Sequence, residues 1–122
     1  MKKVFITGIV FFIFSLVGIS QTKAVLTAKI KTPNALCELC KDRLETYLKR
    51  YDGVLYVNVN YHRAETTVKY LTDRTNIEEI KTAIANAGYD ADDVSANPDA
   101  YNRLPKSCKK YEDGGGHPKP KN

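Results

Sequence analysis

From Val25 to Thr32 apolar and polar side chains alternate, with Leu26, Ala28 and Ile30 on one side and Thr27, Lys29 and Lys31 on the other. A period of two predicts a half-buried strand, and Pro33-Asn34 breaks it. At Cys37 the period lengthens. Cys40, Leu44, Tyr47, Leu48 and Tyr51 recur at helical spacing, opposite Lys41, Arg43, Glu45 and Lys49. That pattern predicts an amphipathic helix, stopped at Asp52-Gly53 with Gly53 as a left-handed cap. Val54 to Tyr61 predicts a second strand, in which Leu55, Val57 and Val59 alternate with Tyr56, Asn58 and Asn60. A short turn at His62-Arg63 leads to a third strand, Ala64 to Leu71, with Thr66, Val68 and Tyr70 on one face; so short a connection implies an antiparallel hairpin. Thr75-Asn76-Ile77-Glu78 has the pattern of a capping box. Behind it Ile77, Ile80, Ile84 and Ala87 form the apolar stripe of a second helix, ended by Gly88. Tyr89 to Val94, interrupted by Asp90, Asp92 and Asp93, reads as a weak last strand at a sheet edge.

The order β-α-β-β-α-β predicts an α+β fold, the ferredoxin-like βαββαβ sandwich, with two helices on one face of a four-stranded antiparallel sheet. It occupies residues 24–95. The flanks differ in composition. Residues 1–20 read as a secretory signal peptide: Lys2 and Lys3 begin it, Val4 to Ile19 is almost wholly apolar, and the small residues Gly18 and Ser20 suit cleavage before Gln21. The apolar run is short for a membrane span, which needs about 20 residues, so no stable span is expected after cleavage. The chain is therefore expected to be exported, to a periplasm or to the exterior. Residues 96–122 read as a flexible polar tail containing Cys108. Asp99 to Leu104 is expected to form one helical turn, and Tyr111 to Asn122 to be disordered because Gly114-Gly115-Gly116, Pro118 and Pro120 break regular structure.

The formal charge of +5 over 122 residues changes little. Signal cleavage would remove two lysines, and the remaining charges are mixed in sign. No basic face interleaved with aromatics marks a nucleic-acid interface; the lysines gathered in the tail are read as solubilising.

The cysteines change more. The chain has three, and two of them form Cys37-Glu38-Leu39-Cys40 at the start of the first helix. There the backbone N–H groups and the helix dipole favour a thiolate, with Lys41 and Arg43 close in sequence. Such a pair can grip a soft metal ion or close into a disulfide, and thiolate chemistry alone does not choose between them. Export favours disulfides, yet an odd count leaves at least one thiol without a partner in the chain. A thioredoxin-like motif is not matched: the chain has no Trp, no Gly-Pro between the cysteines, and no proline placed to oppose them.

Strand, Cys-x-x-Cys, helix, strand pair, helix and then Ala87-Gly88-Tyr89-Asp90 together resemble the heavy-metal-associated domain family, over about residues 25–95. That family includes copper chaperones, N-terminal domains of metal-transporting P-type ATPases and the periplasmic mercury-binding protein. The resemblance places Cys37 and Cys40 at the family's metal cysteines, Gly53-Val54 at the turn after the first helix, and Tyr89 at the aromatic that shields the metal loop. Asn34, Ala35 and Leu36 stand where the family usually reads Gly-Met-Thr, and Leu36 is expected to replace the methionine's buried anchor.

Two thiolates favour thiophilic ions. Cu(I) and Hg(II) rank first; Zn(II) and Cd(II) rank lower because zinc prefers four ligands. Glu38 is expected to be solvated. Cys108 is expected as a third metal ligand, since a tail of its length spans about 20 Å and can fold back onto Cys37 and Cys40. His117 is expected to be idle in solvent, as is His62 in its turn. Tyr47, Tyr51 and Tyr70 are expected in or at the edge of the core. No catalytic constellation is visible. The expected function is that of an exported binding protein, not an enzyme, which sequesters a soft ion or delivers it by thiolate exchange to a metal-transporting membrane protein. The alternative is a thiol-disulfide redox protein using Cys37 and Cys40, with Cys108 as the resolving thiol.

Overall fold

The computed structural model describes residues 24–117; the expected signal peptide lies outside them. Strand β1 (Val25–Lys31) is followed by helix α1 (Glu38–Lys49), the hairpin strands β2 (Val54–Asn60) and β3 (Glu65–Leu71), helix α2 (Ile77–Asn86) and a short helix α3 (Pro98–Asn102). The sheet has the order β1-β3-β2 and is antiparallel throughout. Its inward residues Ile30, Val57, Val59, Val68 and Tyr70 meet Leu44 and Leu48 of α1 and Ile80, Ala83 and Ile84 of α2 in one core. Cys40, Leu44 and Leu48 lie four residues apart, so the same stripe that buries α1 also points Cys40 inward.

The second strand departs from its expected alternation. Val54 pairs with Tyr70 and Tyr56 with Lys69, so Leu55 is an extra residue in a β-bulge. The bulge turns Leu55 out to solvent, where it is 56% exposed, and lets Val54 rather than Leu55 lean on the core. The capping box shifts by one residue. Asn76, not Thr75, is the N-cap and accepts from the Glu79 N–H at 2.9 Å, while the Thr75 hydroxyl donates to Glu79 Oε2. Helix α1 ends at Lys49, with Arg50 as its C-cap, before Gly53, which turns the chain into β2 instead.

The expected fourth strand does not form among the described residues. Ala91 and Val94 make an isolated bridge with each other, and Asp92, at φ +50°, reaches the end of β1 through Lys31 alone. There its N–H donates to the Lys31 carbonyl, and its Oδ1 accepts from the Lys31 N–H at 2.7 Å. Asp90 Oδ1 likewise takes the Ala96 N–H at 2.8 Å. Carboxylates that capture backbone N–H groups favour turns over ladders, and Lys81 secures this turn by facing Glu78, Asp92 and Asp93 at 3.7, 3.7 and 3.2 Å.

Residues 96–117 of the segment expected as a flexible tail carry structure, while residues 118–122, expected to be disordered, lie outside the described residues. Asn97 caps α3, accepting from the Asp99 and Ala100 N–H groups. Single 3-10 turns follow at Lys106–Cys108 and Tyr111–Asp113. Leu104, Cys108 and His117 are buried, at 5%, 0% and 4% exposed. Gly88, at φ +102°, sits where a Cβ would meet the Ala100 carbonyl oxygen and Leu104 Cγ at 3.1 Å each, so its missing side chain lets α3 lie against the end of α2.

Candidate metal centre

Cys37 is the N-cap of α1, in extended conformation, and its Sγ accepts from the Cys40 N–H at 3.3 Å. This is the local reason for the motif's spacing: a cap and the third residue after it face one another at the first turn. The two sulfurs are paired as a disulfide, with Cα atoms 5.2 Å apart. Cys108 is brought to the same point by the 3-10 turn after Pro105. Its Sγ lies 2.7 Å from Cys40 Sγ and 3.7 Å from Cys37 Sγ, and the three sulfurs all fall within 4.8 Å of one another. Cys37 Sγ also faces the Ser107 carbonyl at 3.7 Å. Cys37 is half-buried; Cys40 and Cys108 are fully buried. The sequence-predicted trio is thus brought together, although Cys40 and Cys108 are 68 residues apart.

His117 is not idle in solvent. Its Nε2 lies 3.6 Å from Cys40 Sγ, and its buried Nδ1 has no partner among the described residues. Burial holds its pKa below the ordinary histidine value, so the neutral ring is favoured. Tyr89 is fully buried, and its hydroxyl meets no hydrogen-bond geometry among the described residues. Burial first, then the neighbouring Cys108 thiol, push its pKa well above that of a free phenol, while Arg43 beside it acts in the opposite direction. Lys41, close to the motif in sequence, is directed elsewhere, to Glu45 at 3.6 Å and Asn58 at 3.4 Å. Glu38 and His62 are exposed, as expected.

Asn34, read in the sequence as part of a break and as the residue at the family's glycine position, ties the site together. It is 1% exposed. Its Nδ2 donates to the Gly88 carbonyl at 3.3 Å, and its Oδ1 accepts from the Asp90 N–H at 2.8 Å. The cysteine loop is thereby fastened to the loop carrying Tyr89. Ala35 is fully buried while Leu36 is half-buried, so Ala35, not Leu36, fills the anchor position. The only sequence signal for Asn34 was an Asn beside a Pro ahead of the cysteines.

The tail is held over the site by its own contacts. Lys110 Nζ pairs with Asp90 at 3.0 Å. The Lys110 N–H donates to the Tyr101 hydroxyl at 2.8 Å, and that hydroxyl donates to Asp113. A cleft of about 250 Å³, lined by Pro33, Leu36, Asp90, Lys110 and His117 among others, opens beside this cover.

Three comparisons bear on what such a centre does. The family model for the heavy-metal-associated domain matches residues 29–90. A copper-exporting P-type ATPase of Staphylococcus aureus (strain Newman) is 31% identical over 80 residues, which is 66% of this chain and 10% of that protein. The chain therefore spans about a tenth of the length of the curated relatives it matches. Among solved structures, a CopZ metallochaperone superposes with TM-score 0.52 at 27% identity, over 54% of this chain and 98% of that one. The mercury-bound form of MerP, the periplasmic protein of a bacterial mercury detoxification system, gives 0.50 at 25%, over 57% and 96%.

Proposed function

The chain belongs to the heavy-metal-associated domain family, and on that premise we propose that it takes up one soft metal ion on Cys37, Cys40 and Cys108. The observation that carries this reading is the meeting of three sulfurs at the start of α1. Cu(I) and Hg(II) are the favoured ions, because thiolates select thiophilic metals; the similarity to a copper-exporting ATPase and to a mercury-bound protein supports the same choice. The role is binding and transfer rather than catalysis. A partner bearing its own thiolates, such as a metal-transporting membrane protein, would take the ion by stepwise exchange of sulfur ligands. The apolar residues 4–19 support export, which places this traffic outside the cytoplasm.

Binding requires the Cys37–Cys40 bond to be reduced, since thiolates are the ligands. The test is a competition titration of reduced protein with Cu(I) or Hg(II) against a chromogenic chelator. Cys37→Ser/Cys40→Ser should abolish binding, and an unchanged affinity in that variant refutes the proposal. X-ray absorption at the metal edge should count three sulfurs in the natural chain and two in Cys108→Ser.

One observation favours a second reading, thiol-disulfide exchange. Cys108 Sγ lies 2.7 Å from Cys40 Sγ while Cys40 is bonded to Cys37. Attack by the Cys108 thiolate on Cys40 would form a Cys40–Cys108 bond and release Cys37 as thiolate, with no net change in oxidation state. A protein that reduces a disulfide substrate catalytically but binds no metal under reducing conditions would establish this reading over the first.

A further inference from the structure

We propose that His117 is a fourth ligand, so that the reduced chain closes on its ion with three sulfurs and one imidazole nitrogen. The inference rests on the metal-binding reading above and extends its ion range to tetrahedral divalent metals such as Zn(II) and Cd(II).

The first support is geometric. With metal–sulfur bonds near 2.3 Å and metal–nitrogen bonds near 2.0–2.1 Å, a tetrahedral site has sulfur–sulfur edges of about 3.8 Å and sulfur–nitrogen edges of about 3.6 Å. Cys37 and Cys108 stand 3.7 Å apart, and Cys40 Sγ and His117 Nε2 stand 3.6 Å apart. Two opposite edges of the tetrahedron are therefore already at their required length. His117 Nε2 lies beyond 4.8 Å from at least one of the Cys37 and Cys108 sulfurs, so closing the remaining edges needs the imidazole to swing toward them, the Cys37–Cys40 bond to be reduced and Cys40 to draw back from Cys108.

The second support is what His117 lacks. It is 4% exposed, its Nδ1 has no partner among the described residues, and its Nε2 faces only sulfur. Burying an imidazole so poorly satisfied is unfavourable. A bond from Nε2 to a metal ion would replace its long contact with the Cys40 sulfur by a strong one, with Nδ1 carrying the ring proton.

The third support is the route by which the chain delivers it. After Cys108 the backbone doubles back across its own 3-10 turn. The Gly115 N–H donates to Lys110 O and the Gly116 N–H to Lys106 O, at 2.9 Å each, and the His117 N–H donates to Lys109 O at 3.4 Å. A Cβ on Gly115 would collide with the Lys109 carbonyl, and one on Gly116 would meet Ser107 Cα at 3.1 Å. The glycine run is thus a close backbone approach, and it presents Cys108 and His117 as one unit. Two cysteines suit an ion content with two ligands; three sulfurs and an imidazole form a closed tetrahedral set, the arrangement of structural zinc sites.

The test uses the reduced full chain and two measurements with Zn(II) and Co(II). In 15N-labelled protein, zinc loading should shift the His117 Nε2 resonance and leave Nδ1 protonated. In Co(II) titrations, thiolate-to-metal absorption should be the same in the natural chain and in His117→Gln. The four-coordinate ligand-field bands should weaken in the variant, and its Zn(II) affinity should fall about 100-fold. Its Cu(I) affinity should be little changed. Full thiolate absorption with an unmoved Nε2 resonance, or with undiminished Zn(II) affinity in His117→Gln, overturns the inference and leaves the cysteine site standing. Absence of thiolate absorption with Co(II) in the natural chain overturns the inference alone, whereas the cysteine reading falls only if the reduced chain also fails to bind Cu(I) and Hg(II), so the two failures are told apart by the two titrations.

Discussion

Removing Asn34 tests whether the cysteine loop is held by a buried amide rather than by the small apolar anchor next to it, Ala35. In Asn34→Ala the Gly88 carbonyl and the Asp90 N–H both lose their partner, at a site 1% exposed. A net hydrogen bond contributes about 1 kcal/mol, and a buried group left unpaired costs about 1–3 kcal/mol. Two such bonds, one of them long at 3.3 Å, put the expected loss at about 2–3 kcal/mol. For a domain of this size each kcal/mol lowers Tm by about 4–8 °C, so the reduced, metal-free variant should melt roughly 10–20 °C below the natural chain. Circular dichroism melts of both proteins provide the measurement, and the far-ultraviolet spectrum at low temperature should be unchanged. Amide exchange should also quicken at Ala35 and at Tyr89–Ala91, where the two loops meet. A Tm drop below about 3 °C, which corresponds to less than 1 kcal/mol, would refute the reasoning.

Gly115→Ala should expel the returning backbone from Lys109 and so expose His117; the readout is faster exchange of the Gly116 and His117 amides, with melting of the sheet domain little affected. Protein with the Cys37–Cys40 bond formed should bind Cu(I) or Hg(II) far more weakly than reduced protein, as only Cys108 then offers a thiolate; mass spectrometry of alkylated thiols with and without metal checks this, and equal binding in both states would place the ion elsewhere. Lys110 has its pKa raised chiefly by its hydrogen bond to Asp90. A raised lysine pKa means that its contribution is present below the ordinary value of 10.5 and is lost as pH climbs past the folded value. The cover should therefore loosen only in strong alkali, and Lys110→Met should loosen it at neutral pH, both seen as faster exchange at Lys110 and Gly115.

The parts of the fold that were legible in the sequence are those where one local rule decides. The strand β3 keeps Thr66, Val68 and Tyr70 inward because nothing interrupts its period, and α1 follows its stripe of Cys40, Leu44 and Leu48. Leu55 was misplaced because a bulge shifts the register by one residue, and only pairing with Tyr70 and Lys69 reveals it. The last strand was lost to Asp90 and Asp92, whose carboxylates take the very N–H groups a ladder would need. The motif cysteines were legible because they are three residues apart on one helix turn. Cys108 could be expected from the odd thiol count, but its position depends on Leu104 and α3 packing against Gly88, a contact between distant segments. His117 was hidden by its surroundings: a run of three glycines suggests disorder, and here Gly115 of that run permits a backbone approach too close for any side chain.

The distance along the chain between the gathered side chains has a consequence for unfolding. Cys40 and His117 are separated by 77 residues, yet they meet at 3.6 Å. An ion bound to both would act as a cross-link, closing nearly the whole folded segment into a ring. In the chain-entropy treatment, tying a loop of that length lowers the freedom of the unfolded state by an amount equivalent to about 4.5 kcal/mol. The cargo would then be part of the architecture. Loaded protein could not fray from its C-terminal end without giving up a ligand, whereas empty protein could, and resistance to proteases would report on metal content.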